Sequence, residues 1–393
     1  METTMAARWE RTLVAAACTA ALAAVAVSSP ADAARTRQSS GLIVTATDLV
    51  PPRLGFVGLG ANSSPTPARL MLTTDFGRTF RAIGPRTGRN SEPDSIFFLD
   101  RDHGWFATFN VLTLSERLYR TSNGGRTWRS FAAPGHNDSG GSGDSLQFLT
   151  PTNGWLVAAT ANAPFEDLFH TTNGAASWHH VAGLRPQGRG LGVLPEVGAI
   201  EFEADGRTGW LGGGPFSSRL YKTTDGGLTW RSMRIRTPSG SLFELPGTFG
   251  RTLVEPVTVR SVGTASLRVY TSRNDGATWS LVSTLPRAGG PSCLGSLPTS
   301  FPSPLVGWTA ANLHHHVVVY RTTSEGRRWI KSVTGTPVPA EFCGPERITA
   351  LGLHRAWLVT DPASVNSSET PIYATSTSGR SWRRIDIAAM AGE

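Results

Sequence analysis

An eight-residue segment recurs seven times along the chain at a nearly constant interval. We call this segment the box, and its copies are TTDFGRTF (73–80), TSNGGRTW (121–128), TTNGAASW (171–178), TTDGGLTW (223–230), SRNDGATW (272–279), TTSEGRRW (322–329) and TSTSGRSW (375–382). Their third positions are 48, 50, 52, 49, 50 and 53 residues apart. A unit repeated about every fifty residues is typical of a propeller or a solenoid, because each unit buries its apolar face only against its neighbours.

A second motif, a small residue followed by an aromatic one, keeps step with the box. It lies about 20 residues before six of the boxes, at Gly55-Phe56, Gly104-Trp105, Gly154-Trp155, Gly209-Trp210, Gly307-Trp308 and Ala356-Trp357. The two motifs together contain eleven of the twelve tryptophans. The fifth repeat lacks this pair, and Arg251–Arg260 takes its place.

Each repeat contains four short runs of β-branched and aromatic residues bounded by Gly, Asn or Asp, which indicates four strands. The second run carries the Gly-aromatic pair, and the box joins the third run to the fourth. The sequence therefore predicts an all-β fold, a single seven-bladed β-propeller of four-stranded blades with Asp-box turns over residues 42–388.

The box has the composition of a tight turn. An Asp or Asn at its third position can accept hydrogen bonds from the turn's own N–H groups, and a Gly at its fifth position can adopt positive φ. The candidate turn residues are Asp75, Asn123, Asn173, Asp225 and Asn274. Ala175, Ser324 and Thr377 depart from this pattern, so we expect looser turns in boxes three, six and seven.

The N-terminus has the pattern of a secretory signal. Arg8 and Arg11 precede an Ala-rich apolar run, Leu13–Val27, and Ala31-Asp32-Ala33 forms an A-x-A cleavage site. The apolar run is short for a membrane span, although an uncleaved anchor is the alternative. The segments we expect are a signal peptide (1–33), a linker (34–41), the propeller (42–388) and a C-terminal tail (389–393). Cleavage near Ala33 predicts a secreted, extracytoplasmic protein.

These motifs resemble the Asp-box, or BNR, repeat of sialidases, xyloglucan-degrading hydrolases and sortilin-type receptors. The Gly-Trp strand followed by a box such as TTDGGLTW (223–230) is most similar to the photosystem II stability/assembly factor family. The resemblance covers residues 42–388 and implies an exported, seven-bladed, non-enzymatic propeller. It implies no particular partner, because the box is a structural turn that unrelated activities share.

The chain is basic, with a formal charge of +8, and Lys222 and Lys331 are its only lysines. Arginine fills the sixth box position at Arg78, Arg126, Arg327 and Arg380. It directly follows the box aromatic at Arg81, Arg129, Arg231 and Arg383. These positions predict a broken ring of positive charge near the box turns, which would bind an anionic partner. The alternatives are solvated turn residues and a GC-rich genome that favours arginine codons.

We therefore expect a non-catalytic, secreted or envelope-associated protein that binds a protein or a glycan, as an assembly or stability factor does. An anionic polymer or lipid surface is a further possible partner. We expect a monomer with no cofactor and no nucleic-acid ligand.

The alternative function is a sialidase-like glycoside hydrolase that uses two carboxylates. We call the side of the propeller opposite the boxes the loop face, because its connections are long and rich in Gly, Pro and Ser. Its candidate acids are Asp138, Asp144, Glu166, Asp167, Glu196, Glu244, Glu341 and Asp361. A sialidase also needs a tyrosine nucleophile, but all five tyrosines lie two residues before a box, at Tyr119, Tyr221, Tyr270, Tyr320 and Tyr373. That position predicts core or blade-interface residues, so we assign no catalytic residue.

His314-His315-His316 resembles a metal-binding cluster, but successive strand residues point to opposite faces of a sheet. We expect these histidines to form a solvated hairpin turn in repeat six. We therefore predict no metal site.

Cys293 and Cys343 are the two cysteines that remain after signal cleavage, and we predict that they form a disulfide. They precede Trp308 by 15 residues and Trp357 by 14, so they occupy equivalent places in adjacent repeats. Oxidising compartments favour such a bond, and closing the loop should stabilise the fold by roughly 2–4 kcal/mol. Mass spectrometry of the non-reduced, alkylated protein measures the pairing, and two alkylated thiols in the native protein would contradict it.

Overall fold

The computed structural model describes residues 42–61, 66–110, 112–113, 115–134, 145–159, 166–183, 199–212, 219–290, 296–337, 344–360 and 370–386. All of them belong to one compact unit that begins at Ser39. Several predictions lie outside the described residues: the signal peptide, the linker, the C-terminal tail, both cysteines of the predicted disulfide, and Asp138, Asp144, Glu196, Glu341 and Asp361.

The described chain forms seven antiparallel sheets, each made of consecutive strands, and they are the blades of a seven-bladed β-propeller. Blades one to three contain β1 (Leu42–Val50), β2 (Leu54–Ala61), β3 (Arg69–Thr73), β4 (Arg81–Ala82); β5 (Ser91–Phe98), β6 (Gly104–Asn110), β7 (Ser115–Thr121), β8 (Arg129–Ala132); and β9 (Ser145–Phe148), β10 (Gly154–Ala159), β11 (Glu166–Thr171), β12 (His179–Gly183). The predicted fold class and blade number are confirmed.

The remaining blades follow the same order. Blades four to seven contain β13 (Ala199–Phe202), β14 (Gly209–Gly212), β15 (Tyr221–Thr223), β16 (Arg231–Ser232); β17 (Ser241–Phe243), β18 (Gly247–Phe249), β19 (Thr252–Ser261), β20 (Thr264–Ser272), β21 (Ser280–Gly289); β22 (Thr299–Ser300), β23 (Gly307–Leu313), β24 (His316–Thr322), β25 (Trp329–Pro337); and β26 (Pro345–Ala350), β27 (Ala356–Thr360), β28 (Ile372–Thr375), β29 (Arg383–Ile385). None of the described segments contains a helix long and apolar enough to cross a membrane.

The first strands of blades one to four contact one another in order, and so do those of blades six and seven, so the first strands line the axis of the propeller. Each box connects the third strand of its blade to the fourth. In six blades the N–H of the fourth box residue donates to a carbonyl in the turn between strands one and two, as in Gly124 to Asp102 at 3.0 Å. Boxes and first turns therefore share one surface, which we call the box face.

In the six blades that have the Gly-aromatic pair, the aromatic side chain of the second strand joins the blade to the next. Trp105 of blade two stacks on Phe148 of blade three, with ring centroids 3.6 Å apart and planes inclined by 7°. Phe148 in turn covers Gly154, where an added Cβ would lie 2.4 Å from the ring. The Gly-aromatic pair is thus a packing unit. The glycine of one blade leaves space for a phenylalanine ring of the same blade, and the aromatic residue of the preceding blade stacks on that ring. Phe56–Phe98 and Trp155–Phe202 repeat the stack.

Blade seven closes the ring on blade one through side chains. Residues 42–50 form the first strand of blade one, and no strand of the described chain is shared between these two sheets. The indole of Trp357 packs against Gly55 within an apolar cluster drawn from both blades. Arg383 donates from Nη1 to the carbonyl oxygen of Gly77 at 3.0 Å, and Arg355 donates to that of Pro52 at 3.0 Å.

We predict that Gly55→Ala weakens ring closure. A Cβ at this position would lie 2.3 Å from Cη2 of Trp357, so the indole must move. Overpacking of this kind should lower the free energy of unfolding by about 1–3 kcal/mol. Gly88→Ala is the control, because its nearest neighbour would be Ser91 Oγ at 3.7 Å. Urea denaturation compares the two variants, and equal midpoints would contradict the role of this contact.

Candidate functional site

The box turns share one hydrogen-bond pattern. In box one, Asp75 Oδ1 accepts the N–H groups of Arg78 and Thr79, both at 2.9 Å, and Oδ2 accepts the Thr79 hydroxyl at 2.7 Å. Thr73 Oγ1 accepts the N–H of Gly77 at 2.8 Å. Partial burial opposes ionisation, but these bonds together hold the pKa of Asp75 well below its usual range. The box face is therefore a set of rigid turns.

The substituted boxes keep the central bonds. Thr377 Oγ1 accepts the N–H of Ser381 at 3.0 Å, and Ser324 Oγ accepts that of Arg328 at 3.0 Å. Ala175 adopts the positive φ of 80° that glycine takes in the other boxes. Boxes three, six and seven thus keep the closing N–H bond, but Ser324 accepts fewer bonds than Asp75 does, so the looser turns expected in these boxes stay a prediction.

The four arginines at the sixth box position lie in one arc of the box face. The broken ring that they were expected to form together with Arg81, Arg129, Arg231 and Arg383 stays a prediction. Arg78, Arg126, Arg327 and Arg380 are all exposed on the box face. They belong to blades one, two, six and seven, which are consecutive once blade seven contacts blade one. The other three blades carry small or apolar residues at this position: Ala176, Leu228 and Ala277. Positive charge at the sixth box position is thus confined to one half of the box face.

Several other basic residues of the box face are used in blade packing. Arg383 bonds to the carbonyls of Gly77 and Phe76 in box one. Lys222 lies 4.9 Å above the Trp210 ring and bonds to the Asp275 carbonyl of the next box at 2.9 Å. The side chains of Arg78 and Arg126, in contrast, make no hydrogen bond or ion pair with other described residues.

A groove of about 430 Å³ lies between boxes five and six. Arg273 and Arg327 border it, and both pair with the buried carboxylate of Glu325, at 2.7 and 2.6 Å. Asn274 and the exposed Leu281 also line the groove. Because Glu325 fixes both guanidiniums, this end of the arc presents oriented donors beside an apolar side chain.

Among the loop-face acids, only Asp167 and Glu244 have side chains that the structure describes. Asp167 is buried and lies 3.4 Å from His180 Nε2. Glu166 belongs to β11, but its side chain is outside the described set. Glu244 lies between β17 and β18, at the first-strand position of blade five. The structure does not bring the described acids together as a pair that is open to a substrate.

Other sequence predictions have clear outcomes. Four of the five tyrosines are buried, and Tyr320 donates from its hydroxyl to the Ala288 carbonyl of the preceding blade at 2.9 Å, as expected of interface residues. His314 and His315 have φ values of 51° and 61° and form an exposed hairpin turn, as predicted.

Sequence reasoning missed polar residues on the first strands. Each of them lies opposite the aromatic residue of a Gly-aromatic pair. Asp48 lies opposite Phe56, and its Oδ2 accepts the N–H of Phe98 in the next blade at 2.7 Å. Gln147, opposite Trp155, bonds to both the N–H and the carbonyl of Phe202. These side chains link the first strands around the axis. The regular spacing of the motifs could not reveal these residues, because their equivalence depends on which residues pair across the strands.

A cavity of about 230 Å³ lies between the first strands of blades one and seven. Arg347 is exposed there and donates to Thr47 Oγ1 at 3.4 Å. Burial raises the pKa of Asp48 to about 6, although the N–H groups of Phe98 and Leu49 and the charge of Arg347 oppose the shift. The first strand of blade one therefore holds a carboxyl group that titrates in mildly acidic solution.

Comparison with known proteins supports the fold. No family model and no curated protein matches the chain. Among solved structures, YCF48 from Cyanidioschyzon merolae is 13% identical, with a TM-score of 0.55, covering 82% of this chain and 94% of that one. A polysaccharide lyase of family PL25, an ulvan lyase bound to its sugar, is 8% identical, with a TM-score of 0.54, covering 90% and 95%. YCF48 bound to a D1 peptide is 17% identical, with a TM-score of 0.47, covering 75% and 81%. The fold is thus similar to that of proteins with different activities.

We predict that Asp48→Asn changes the pH dependence of stability. The folded pKa of Asp48 lies above the value for an unfolded chain, so the folded state retains its proton as pH rises from about 4 to about 6. Across this range, the free energy of unfolding of the wild type should fall relative to that of Asp48→Asn. Above it, the two free energies should change with pH in parallel. Thermal unfolding at a series of pH values measures the difference.

Asp205→Asn is the control for this experiment. Partial burial raises the pKa of Asp205, but hydrogen bonds from Arg207 and Thr208 outweigh it and lower the pKa. Its titration therefore ends below this range. Parallel profiles for the wild type and Asp48→Asn between pH 4 and 6 would contradict the prediction.

Proposed function

We propose that this chain is a non-catalytic binding propeller that acts outside the cytoplasm, and that its box-face arginines bind an acidic segment of a protein partner. We call Arg78, Arg126, Arg327 and Arg380 the arginine arc. Their contiguity across four blades is the observation that carries the proposal. Guanidinium groups suit carboxylates because they donate two parallel hydrogen bonds.

The rigidity of the boxes supports a binding role. Each arc arginine is attached to a turn whose backbone is held by at least four hydrogen bonds, such as the four in box one. The backbone positions are therefore fixed before the partner arrives, which lowers the entropic cost of binding. Only the side chains need to be ordered.

Apolar side chains on the same face favour a protein over a purely anionic polymer. Leu305, in a first turn of the box face, is 54% exposed, and Leu228 in box four is 63% exposed. Protein interfaces combine apolar contacts with arginine, whereas a polyanion offers little for leucine to contact. A glycan, an anionic polymer and a lipid surface are the other candidate partners.

The described acids do not favour the glycoside hydrolase alternative. Asp167 faces His180 and is buried. Glu244 has a second carboxylate nearby in Glu255, but Glu255 is fully buried. A hydrolytic pair must touch the scissile bond from both sides, and a side chain with no solvent access cannot do so.

We predict that replacing Arg78, Arg126 and Arg380 together with Gln weakens binding to a Glu-rich peptide. Exposed charge pairs contribute roughly 0.2–1 kcal/mol each, so the loss should be roughly two- to a hundredfold at low salt and should shrink as salt increases. Fluorescence anisotropy of the labelled peptide measures the affinity.

The matched control removes the same charge from the loop face, through Arg89→Gln, Arg117→Gln and Arg260→Gln. These arginines are exposed and lie near blade connections or at turns between strands two and three. Equal affinity of both triple variants would contradict the proposal. Adsorption to phosphatidylglycerol vesicles that depends on the arc, without any peptide binding, would assign the arc to lipid instead.

A further inference from the structure

Glu255 occupies a position that is apolar in most other blades. Cross-strand register places it opposite Tyr270, two residues before box five. The equivalent residues of the other blades are Val57, Phe106, Leu156, Leu211, Thr309 and Leu358. Five of these six are apolar, and the position packs against the preceding blade. A glutamate here costs stability unless something compensates its charge.

The first strand of blade five is broken beside Glu255. β17 pairs with Val257–Val259, and β18 pairs with Thr252–Val254, so Glu255 and Pro256 have no partner on that side. Proline cannot donate an N–H to a neighbouring strand, which explains why the ladder stops here. Residues 244–246 leave the sheet at this point, and they begin with Glu244.

Glu255 is fully buried, with 0% exposure. The preceding residue on β19, Val254, faces blade six. Because successive strand residues point to opposite faces, Glu255 faces the apolar core shared with blade four. Within that core lie Trp210, Phe243 and Tyr270. Neither carboxylate oxygen of Glu255 has a hydrogen-bond partner in the described part of the chain.

Glu244 is a charged group close enough to Glu255 to affect it, and it has the same sign. Burial raises the pKa of Glu255, and the Glu244 carboxylate raises it further, although the Glu244 N–H lies near enough to oppose the shift. Burial also raises the pKa of Glu244, which accepts a hydrogen bond from Ser296. No described lysine or arginine forms an ion pair with either residue. The pair therefore lacks a positive partner from the described chain.

Two kinds of hard oxygen lie at the break. They are the two carboxylates and the Glu244 carbonyl, whose oxygen would lie 2.9 Å from a Cβ added at Gly212 of blade four. Glu244 is only half-buried, so an ion can reach its carboxylate from solvent, whereas Glu255 would contact the ion from the buried side. Hard oxygen donors of this kind suit Ca²⁺, which tolerates irregular geometry and retains water ligands.

We propose that Glu244 and Glu255 bind one Ca²⁺ ion between blades four and five, where the ion joins the broken first strand to the second strand. It is a two-carboxylate site, since no described group of three or more metal-binding side chains is placed to hold a metal. The site was not predicted from the sequence, and it is independent of the arginine arc. Bound Ca²⁺ neutralises the buried charge and stabilises the folded state by mass action.

The test uses the full chain after chelation and dialysis. Isothermal titration with Ca²⁺ should give one site, and a hundredfold excess over Kd should raise Tm by on the order of 5 °C. Glu255→Gln and Glu244→Gln should abolish both effects. Glu92→Gln, which alters a first-strand carboxyl of blade two, is the control and should retain them.

Tb³⁺ luminescence gives a second measurement that does not depend on stability. Trp210 lies in the same core, so its excitation should sensitise Tb³⁺ in the wild type and not in Glu255→Gln. Absence of Ca²⁺ binding by the wild type would overturn the proposal, and so would binding that persists in Glu255→Gln. Stability that ignores Ca²⁺ but falls with rising pH in the wild type alone would show that the two carboxyls share a proton instead.

Discussion

Packing of a flat ring onto a glycine is the contact on which the propeller depends. The seven sheets share no strand in the described chain, so side chains must hold each blade to the next. Stacks such as Trp105 on Phe148 do this, and Gly154 provides the space beneath the second ring. The same packing closes the ring between blades seven and one. Ring closure in turn places the box arginines of blades six, seven, one and two next to one another.

The blade architecture could be predicted because its determinants are local. Each box contains its own hydrogen-bond acceptors, so counting boxes counts blades, and each Gly-aromatic pair contains its own space for packing. The arginine positions could also be read from the sequence. Their arrangement as an arc could not, because it requires Arg380 and Arg78 to be neighbours across a ring closure that joins the two ends of the repeat array.

The candidate sites near the axis depend on cross-strand register. Asp48 and Gln147 are far apart in sequence and become equivalent only when each is placed opposite its Gly-aromatic ring. Glu255 is harder still to recognise, because the fifth repeat lacks that pair and offers no fixed point from which to count. Its partner Glu244 lies in a break that arises from Pro256, and the repeat pattern contains no signal for it.

Closure by side chains alone makes each blade a contiguous piece of chain. In propellers that close with a shared sheet, the first and last segments must meet before one blade is complete. Here every blade can form its own four strands, and the contact of Trp357 with Gly55 can form last. Folding therefore does not have to begin with blade one. A circular permutant whose termini lie in another blade-to-blade connection would preserve all seven sheets, so the order of synthesis and the order of blades around the axis are separable in this fold.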